Sequence, residues 1–599
     1  MKMPAFSKNT LWDVSPALSA VAQGTIPADL VIRDAKLVNV CTREILEHTD
    51  VAVSRGRIAL VGDAAHCIGE KTLVVEARGR YLVPGFLDGH IHVESSMLSV
   101  GEYAAAVIPH GTTGIYMDPH EICNVLGVPG VDCMIADGKR TPLKSMVTMP
   151  SCVPAVPGFE DAGAEIRSGD VREAMKSEDI VGLGEMMNFP GILFSDPETH
   201  AIVGETLKAG KIATGHFSIP DTGKGLNAYA AAGIRCCHES TSAAEALAKM
   251  RLGMYAQIRE GSAWHDLHDV SKAVTANEID TRFACLVSDD THPNTLIRDG
   301  HLDHILRRAV AEGIDPLTAL QMVTINTAQC FKMDHELGSV TPGKCADLVL
   351  LKDLKDFAAA EVWIDGEHVA SEGKILYTPE PAAFPDFALH TMHVKQTITA
   401  DSFRIEAPGP DRVRVRVIEV IPARVGTYER VLDVAPVKGR IESDLSRDLL
   451  KAFVFERHHG TGNFSCGLVK GFGIKKGAMA STVAHDAHNL LVLGTNDDDM
   501  ALAANTLIEA GGGMVVVADG KILGLVKLPI AGLMGDKPVA QMARDVEALE
   551  SAWDAIGCAM PSPFMTMALI PLACLPELRL TDRGLVDCVN FRFTDFFVK

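Results

Sequence analysis

The sequence predicts an α/β fold built on a (β/α)₈ TIM-like barrel, with a flanking small β-sandwich domain and an additional α+β C-terminal domain. The chain has 599 residues, too many for one core, because domains usually run ~100 to 200 residues. Two β-rich segments bracket the 247 residues from Pro84 to Cys330, close to the ~250 residues of such a barrel. Within that region, apolar strands alternate with helix-like stretches and end abruptly in polar residues.

Composition narrows the class of protein. With 47% hydrophobic and 22% charged residues, the chain is expected to be globular. Its net charge of −21 argues against binding nucleic acid or anionic lipid, and favours a small neutral or cationic substrate. The 14 cysteines are dilute and include no Cys-x-x-Cys, which is typical of reduced thiols in the cytosol. Without an export signal or a long apolar run, we expect a cytoplasmic protein that does not span a membrane.

The domain boundaries follow from the pattern of strands and turns. Residues 1–83 hold the N-terminal segment and the first part of the β-sandwich, and residues 336–380 hold its second part, with a hairpin turn at Asp365-Gly366. Residues 84–335 form the barrel between them. After a Pro-rich link near Pro379, residues 381–599 show new strands, a helix-like stretch and a hairpin at Asp519-Gly520. This segment is long enough for a C-terminal α+β domain.

A His-x-His pair ends the first barrel strand. His90 and His92 lie two residues apart, so both side chains point to the same side of the strand and can bind one metal ion together. Alone, such a pair has an equally good interpretation as two polar strand-end residues. The rest of the region favours the metal.

The distances between polar strand ends indicate which strands carry them. About 250 residues divided by eight gives roughly 31 residues for each βα unit. The steps from His92 to Glu185, and on to His216, His238 and Asp289, are 93, 31, 22 and 51 residues, or about three, one, one and two strands. These positions fall on strands 1, 4, 5, 6 and 8, whose ends meet at one mouth of the barrel. Four imidazoles and two carboxylates would suffice for two metal ions that share a bridging Glu185 and a bridging hydroxide. The predicted ligands are His90, His92, Glu185, His216, His238 and Asp289.

These residues resemble the amidohydrolase superfamily over about Ala28 to Lys374. The motifs are VPGFLDGHIH at the start of the barrel, GH at His216, CHES at His238, SDD at Asp289 and TPGKCADLVLL at the end of the β domain. Many binuclear members bridge their metals with a carboxylated lysine, but the strand 4 position here reads VGLGEMMN, so Glu185 takes that role. With ESSM after His-x-His and DPHEICNV after strand 2, the sequence looks like the adenine deaminase branch. That branch carries an extra C-terminal domain, which extends the resemblance over nearly the whole chain.

The resemblance implies hydrolysis of adenine to hypoxanthine and ammonia, a reaction of purine salvage and adenine catabolism. Two divalent ions lower the pKa of a shared water, so that hydroxide attacks C6 of the purine. Asp289 would take the hydroxide proton and return it to the ring or the departing amine as general acid/base. The family implies manganese or ferrous iron, and the nitrogen and oxygen ligands also suit zinc. Related barrels commonly self-associate, so a homo-oligomer is expected.

Other functions share parts of this pattern. A cyclic amide hydrolase of the hydantoinase or dihydroorotase type would keep fold and metal, but Glu185 and the ESSM and DPHE segments speak against it. A non-catalytic scaffold is expected to have lost ligands, whereas every predicted ligand position here is filled. Single-zinc base deaminases combine H-x-E with P-C-x-x-C. His92-x-Glu94 matches the first half only, and the second is absent from the chain.

Four further residues are candidates for contacts with the purine. They are Glu94, Ser95, His120 and Glu121, and each has the alternative of a local hydrogen bond at a strand end or in a loop. In the C-terminal domain, AHDAHN places His485, Asp486 and His488 together as a lid, a further metal site or, the interpretation we favour, a surface loop. The glycine-rich segments match no nucleotide fingerprint, so no nucleotide cofactor is expected. The pair His301 and His304 is interpreted as a solvated helix face.

Overall fold

The computed structural model describes residues 8–422 and 424–598. Its α/β architecture confirms the predicted fold class: a small β domain, a central barrel and a C-terminal domain with both sheet and helix. Among the described residues, no helix is long and apolar enough to cross a membrane.

The small β domain is a continuous nine-stranded sheet preceded by the helix Leu11–Ala22. Its first and last parts meet where Leu348–Leu351 pairs antiparallel with Tyr81–Pro84, so the chain leaves this domain and returns to it. The apolar side chains of both parts, from Leu30 to Trp363, pack in one core. The strands are Leu30–Asn39, Glu44–Ser54, Arg57–Gly62, Leu73–Glu76, Tyr81–Pro84, Leu348–Leu351, Ala359–Ile364, Glu367–Ser371 and Lys374–Ile375.

Eight strands form the barrel. The first five pair in parallel, as do the last three, and bridges between Ala213 and Ile234 and between Ile91 and Asp289 close the ring. Strands that are buried on both faces consist mostly of apolar residues, as these eight strands together do. In order, barrel strands 1 to 8 are Phe86–Ile91, Thr112–Met117, Lys144–Met149, Ile180–Met186, Ile212–Gly215, Cys236–Cys237, Tyr255–Arg259 and Ala284–Val287.

Helices cover the outside of the barrel. They are Val100–Val107, His120–Leu126, Val128–Gly138, Ser168–Ala174, Phe189–Leu193, Pro197–Lys208, Lys224–Ala231, Ala243–Arg251, Leu267–Val270, Lys272–Thr275, Pro293–Asp299, Leu302–Ala311, Pro316–Met322 and Ile325–Cys330. Several have side-chain caps at their first turn; Asp196, for example, accepts from the Thr199 amide. Short 3₁₀ turns lie at Ala65–Cys67, Val93–Ser96, Ile108–His110, Thr281–Phe283, Ala400–Phe403 and Leu445–Arg447.

One helix face departs from the sequence interpretation. His301 precedes the helix Leu302–Ala311 and is buried, not solvated. Its Nε2 lies 2.9 Å from the Tyr103 hydroxyl and 3.1 Å from Asp88, and its Nδ1 lies 2.7 Å from Thr112 Oγ1. The histidine therefore connects the first two barrel strands to the last helices.

The C-terminal domain carries a second nine-stranded sheet and a three-stranded one. The predicted hairpin at Asp519-Gly520 is present, as is the helix that follows Asn496. The strands are Val413–Val420, Thr427–Val434, Leu449–Phe455, Phe464–Lys470, Ala478–Ser481, Leu490–Gly494, Gly513–Ala518, Lys521–Lys527 and Phe597–Val598, then Leu578–Thr581, Gly584–Asp587 and Arg592–Thr594. The helices are Asp386–Leu389, Asp497–Ala510, Val539–Ala555 and Pro563–Ala568.

The three parts pack closely together. Lys144, buried at the start of barrel strand 3, donates to Asp347 and Asp365 of the small domain at 2.8 Å each. On the opposite side, one apolar core runs from the barrel into the C-terminal domain, including Leu286 and Ile570. The C-terminal domain therefore covers the barrel mouth where the polar strand ends meet.

Candidate metal centre

The six predicted ligands converge at the C-terminal ends of the barrel strands. His90, His92 and Asp289 form one group, in which Asp289 Oδ1 lies 3.6 Å from His90 Nε2 and 3.4 Å from His92 Nε2. Glu185 lies between this group and the other two histidines. Its Oε1 is 3.4 Å from His92 Nε2, and its Oε2 is 3.1 Å from His238 Nε2 and 2.7 Å from His216 Nδ1. Glu185 thus faces both groups, as a bridging carboxylate must.

Local backbone structure positions these side chains. His92 Nδ1 lies 2.9 Å from the Asp118 carbonyl oxygen, a contact that fixes the ring and leaves Nε2 free for an ion. The Asp289 and His92 amides donate to the His90 and Asp289 carbonyls, which joins strands 8 and 1. Asp289 has a φ of 62°, a left-handed conformation that aspartate tolerates and that is concentrated at functional sites.

Arg259, the last residue of barrel strand 7, forms ion pairs with acidic side chains at the edge of the site. Its Nη1 donates to Asp289 Oδ2 at 3.0 Å and to Glu239, while its Nε donates to Asp266 at 2.6 Å. Glu239 follows His238 and forms a third possible ligand group with His216 and His238. Arg259 therefore fixes the Asp289 carboxylate so that its other oxygen faces the imidazoles.

The electrostatics of the site keep both acidic ligands ionised. Burial raises the pKa of Asp289, but the adjacent His92 and the charges of His238 and Arg259 outweigh this effect, and the pKa of Asp289 lies well below the usual range. Burial also opposes ionisation of Glu185, yet the charges of His216 and His238 hold its pKa well below the usual range. Two ionised carboxylates among imidazoles are a suitable environment for cations.

The donor set fits divalent metal ions. It contains imidazole nitrogens and carboxylate oxygens and no thiolate, a set suited to manganese, iron or zinc. His90 Nε2 is buried and has no hydrogen-bond partner, although it points at Asp289. A buried nitrogen of this kind needs a partner, and an ion between it and Asp289 provides one. Cys236 and Cys237, which precede His238 in the chain, are buried in apolar clusters.

The C-terminal domain forms a roof over this mouth. A cavity of about 210 Å³ lies between the ligands and the roof. Trp264 and Met187 line it from the barrel, and apolar side chains of the C-terminal domain line it from above: Val425, Met565, Leu569, Leu572, Leu575 and Pro576. The cavity thus has a polar floor and a ceiling that is mostly apolar.

The AHDAHN segment is part of the site, so its interpretation as a surface loop was wrong. His485, Asp486 and His488 are all buried, and the first two line the cavity. Asp486 Oδ1 lies 3.7 Å from His120 Nε2, which brings the C-terminal domain to the ligand cluster. The segment looks exposed in the sequence because it is polar, and burial of polar residues between two domains leaves no signal in local periodicity.

Two buried arginines hold the roof in place. Arg579 donates to the carbonyl oxygens of Leu569, Leu575, Val425 and Pro576, so a single guanidinium fixes the loop that lines the ceiling. Arg457 does the same for the loop that carries His485: it donates to the His488 carbonyl, and to the carbonyls of Thr391 and Ala531 at 3.1 and 2.9 Å. Both are below 2% exposed.

The four residues predicted to contact the purine occupy two layers. His120 and Glu121 line the cavity, and His120 Nδ1 lies 3.5 Å from Glu185 Oε1. Glu94 is buried behind them, where its Oε1 accepts from the Ile122 amide at 3.2 Å. Ser95 donates to the His92 carbonyl at 2.7 Å. Glu94 and Ser95 therefore make hydrogen bonds to the backbone of Ile122 and His92, close to the ligands.

Several cavity residues were missed by the sequence analysis. Glu239, Arg259 and Asp290 face the cavity. Arg259 ends barrel strand 7, Glu239 lies two residues after strand 6, and Asp290 lies three residues after strand 8. Strand 7 is one of the three strands, with strands 2 and 3, to which the spacing assigns no ligand, and the position of Arg259 at a strand end was the signal that could have found it. Ser218 and Thr241 are further polar lining residues in the loops after strands 5 and 6.

Comparisons with known proteins assign the chain to a class. A model of the amidohydrolase family matches residues 81–369, which include the whole barrel and all six candidate ligands. The chain is therefore a hydrolase of the amidohydrolase type. A second model, the adenine deaminase C-terminal domain, matches residues 424–592. Together with the full-length relatives below, it shows that the chain belongs to the adenine deaminase family.

Relatives resemble the chain along its entire length. It is 67% identical over 594 residues to an adenine deaminase of Clostridium botulinum, covering 99% of each chain. An adenine deaminase of Moorella thermoacetica is 53% identical, covering 98% of this chain and 99% of its own, and one of Ruegeria pomeroyi is 46% identical, covering 97% of each. All three similarities extend over the barrel and the C-terminal domain.

Solved structures resemble part of the chain at low sequence identity. Molinate hydrolase matches with a TM-score of 0.45 and 16% identity, over 60% of this chain and 98% of its own. Phenylurea hydrolase B matches with a TM-score of 0.43 and 19% identity, over 59% of this chain and 100% of its own.

Proposed function

We propose that the chain deaminates adenine hydrolytically to hypoxanthine and ammonia in the roofed cavity above the six ligands. The observation that carries the proposal is the convergence of four imidazoles and two carboxylates beneath a cavity of about 210 Å³. Ligand sites usually measure ~300 to 1,000 Å³, so this one suits a small molecule such as a flat purine base. The full-length adenine deaminase relatives support the same substrate.

Two divalent ions would be held by His90, His92 and Asp289 on one side and His216 and His238 on the other, with Glu185 between them. We propose that both ions are manganese or ferrous iron. Zinc is the alternative that the nitrogen and oxygen ligands allow. Bound there, the ions would make hydroxide available near neutral pH for attack on C6 of the purine.

Asp289 is the proposed general acid/base. Its carboxylate is ionised, and its Oδ1 faces His90 and His92, where it can accept a proton from the attacking water. The proton then passes to the purine ring or to the amino group that leaves as ammonia. Arg259 keeps Asp289 turned towards the reacting atoms throughout, because it donates to the oxygen on the far side.

The remaining cavity residues would orient the base. His120 and Glu121 offer polar groups at one side of the cavity, and the leucines of the roof pack on the flat face of the purine. Closure by the roof excludes bulk water, which strengthens the electrostatic contacts below it. Glu94 and Ser95 support this arrangement from behind.

The proposal is tested by ammonia release from adenine with manganese-loaded or ferrous protein. Adenosine and dihydroorotate serve as competing substrates under the same conditions. Turnover of adenine alone is the expected result. A metal-loaded protein that hydrolyses dihydroorotate and leaves adenine unchanged would reassign the site to cyclic amides.

A further inference from the structure

A second cluster of ligand-type side chains lies at the junction of barrel and C-terminal domain. His120 and Glu121 begin the helix after barrel strand 2, and His485 comes from the AHDAHN segment. Their ligand atoms all lie within 4.8 Å of one another, and the residues are 5%, 1% and 6% exposed. None of these three is among the six ligands of the centre described above.

The spacing within this cluster resembles that of metal ligands more than that of hydrogen-bonded pairs. His485 Nδ1 lies 3.6 Å from Glu121 Oε1 and 3.5 Å from Asp486 Oδ1, and Asp486 Oδ1 lies 3.7 Å from His120 Nε2. Hydrogen bonds between such groups are ~2.7 to 2.9 Å long. Two ligands each ~2.1 Å from one tetrahedral ion lie about 3.4 Å apart. The pairs around Asp289 in the main centre, at 3.4 and 3.6 Å, show the same spacing.

Buried acidic oxygens at this junction have no partners. Both carboxylate oxygens of Glu121 lack a hydrogen bond, as do Glu94 Oε2, Asp290 Oδ1 and Asp486 Oδ2. Four carboxylates thus surround two imidazoles. Burying charge without a partner is costly, so natural proteins pair such groups or place them on a metal. A cation held between Glu121 and the two imidazoles would give these buried oxygens a partner.

We propose that His120, Glu121 and His485 bind a third divalent cation, with Asp486 as a neighbouring oxygen ligand. The donor set of imidazole nitrogens and carboxylate oxygens, without thiolate, suits manganese, ferrous iron or zinc. Because His120 and Glu121 belong to the barrel and His485 to the C-terminal domain, the ion fastens the roof onto the barrel mouth. It lies at the edge of the cavity without belonging to the six-ligand centre.

Metal stoichiometry tests this site. The full-length chain is stripped with a chelator, dialysed against manganese, and its manganese content per chain is measured by mass spectrometry. We expect three ions in the unmodified protein and two in the isosteric Glu121→Gln and in His485→Gln, which change ligands on different domains. His488→Gln is the matched control from the same segment and keeps three, because His488 is not in the cluster. Thermal melting identifies any variant that has failed to fold.

Anomalous scattering at the manganese edge gives an independent readout. A peak enclosed by His120, Glu121 and His485, absent from the Glu121→Gln crystal, is the expected result. Two ions in the unmodified protein, or an unchanged count in both ligand variants, would overturn the third site. The proposed deaminase activity is separate: a protein with two ions that still deaminates adenine refutes only this inference.

Discussion

In the proposed reaction Asp289 transfers the proton, and it also belongs to the candidate ligand group of His90 and His92. Asparagine has the same shape and still offers an oxygen to an ion, but it cannot take up a proton. Asp289→Asn should therefore retain much of the metal and lose turnover by ~10²- to 10⁴-fold, the usual contribution of a general acid/base. Metal content and the kcat for ammonia release from adenine measure the two effects.

Asp269→Asn is the control for this prediction. Asp269 lies on the barrel surface, where its side chain pairs with Lys272. Its removal should leave turnover unchanged. Unaltered turnover in Asp289→Asn would remove Asp289 from the general acid/base role.

His292 makes stability depend on pH. Burial alone lowers the pKa of His292 to about 4, and its Nε2 has no hydrogen bond. In the unfolded chain its pKa is ~6.5, so acid protonates the unfolded state first. The stabilisation is complete above pH 6.5 and is lost as the pH falls from 6.5 towards 4. Between pH 7.5 and 5.5 the loss is about 1 to 2 kcal/mol.

The His292→Leu variant separates this contribution from those of other groups. It keeps the apolar contact with Phe564, whose ring centroid lies 4.8 Å from that of His292. Its melting temperature should fall less than that of the unmodified protein over the same pH interval. Parallel curves for the two proteins would contradict the assignment.

The positions of single site residues could be predicted where the number of residues between strand ends assigned them to a strand. The strand count assigned Glu185 and Asp289 to strands 4 and 8, and in the structure Glu185 lies in strand 4 and Asp289 two residues after strand 8. His485 and Asp486 could not be placed, because nothing in the local sequence indicates that a loop some 195 residues after Asp290 returns to the barrel mouth. Arg259 was missed because an arginine is not a ligand type, although it stands at the end of a barrel strand.

At the level of elements, the roof loop depends on one buried guanidinium. Arg579→Met keeps the bulk but leaves the carbonyls of Leu569, Leu575, Val425 and Pro576 without this donor. Each unsatisfied buried acceptor costs ~1 to 3 kcal/mol, so the melting temperature should fall and the ceiling should loosen. We expect the KM for adenine to rise by about tenfold or more, with a smaller change in kcat.

Arg583→Gln is the matched control. Arg583 is in the same hairpin, but its side chain is 41% exposed and pairs with Asp161. Exposed ion pairs contribute little, so KM and melting temperature should stay near those of the unmodified protein. An unchanged KM in Arg579→Met would show that the ceiling does not hold the substrate.

Elements with strong periodicity were predicted well. The two hairpin turns at Asp365-Gly366 and Asp519-Gly520 are present in the structure, as is the helix predicted in the C-terminal segment, Asp497–Ala510. The helix-face interpretation of His301 failed because the spacing of His301 and His304 says nothing about what packs on them. In the structure Tyr103, Thr112 and Asp88 surround His301.

At the scale of the whole molecule, the barrel and the C-terminal domain form one cavity between them, so metal binding should stabilise both. An ion that binds only the folded chain adds RT ln(1 + [L]/Kd), or ~2.7 kcal/mol at a hundredfold excess over Kd. Stripped protein should melt several degrees lower than manganese-loaded protein. Equal melting temperatures would mean that the ligands are not occupied.

The most direct test of the account is to follow ammonia release from adenine while manganese or ferrous iron is returned to chelator-stripped protein, with Glu185→Gln measured in parallel. The account predicts no turnover in the stripped protein, recovery as metal is added, and little recovery in Glu185→Gln, whose side chain is the only one facing both ligand groups through two carboxylate oxygens among the residues that the structure describes. Full turnover by metal-free protein, or by Glu185→Gln, would contradict it.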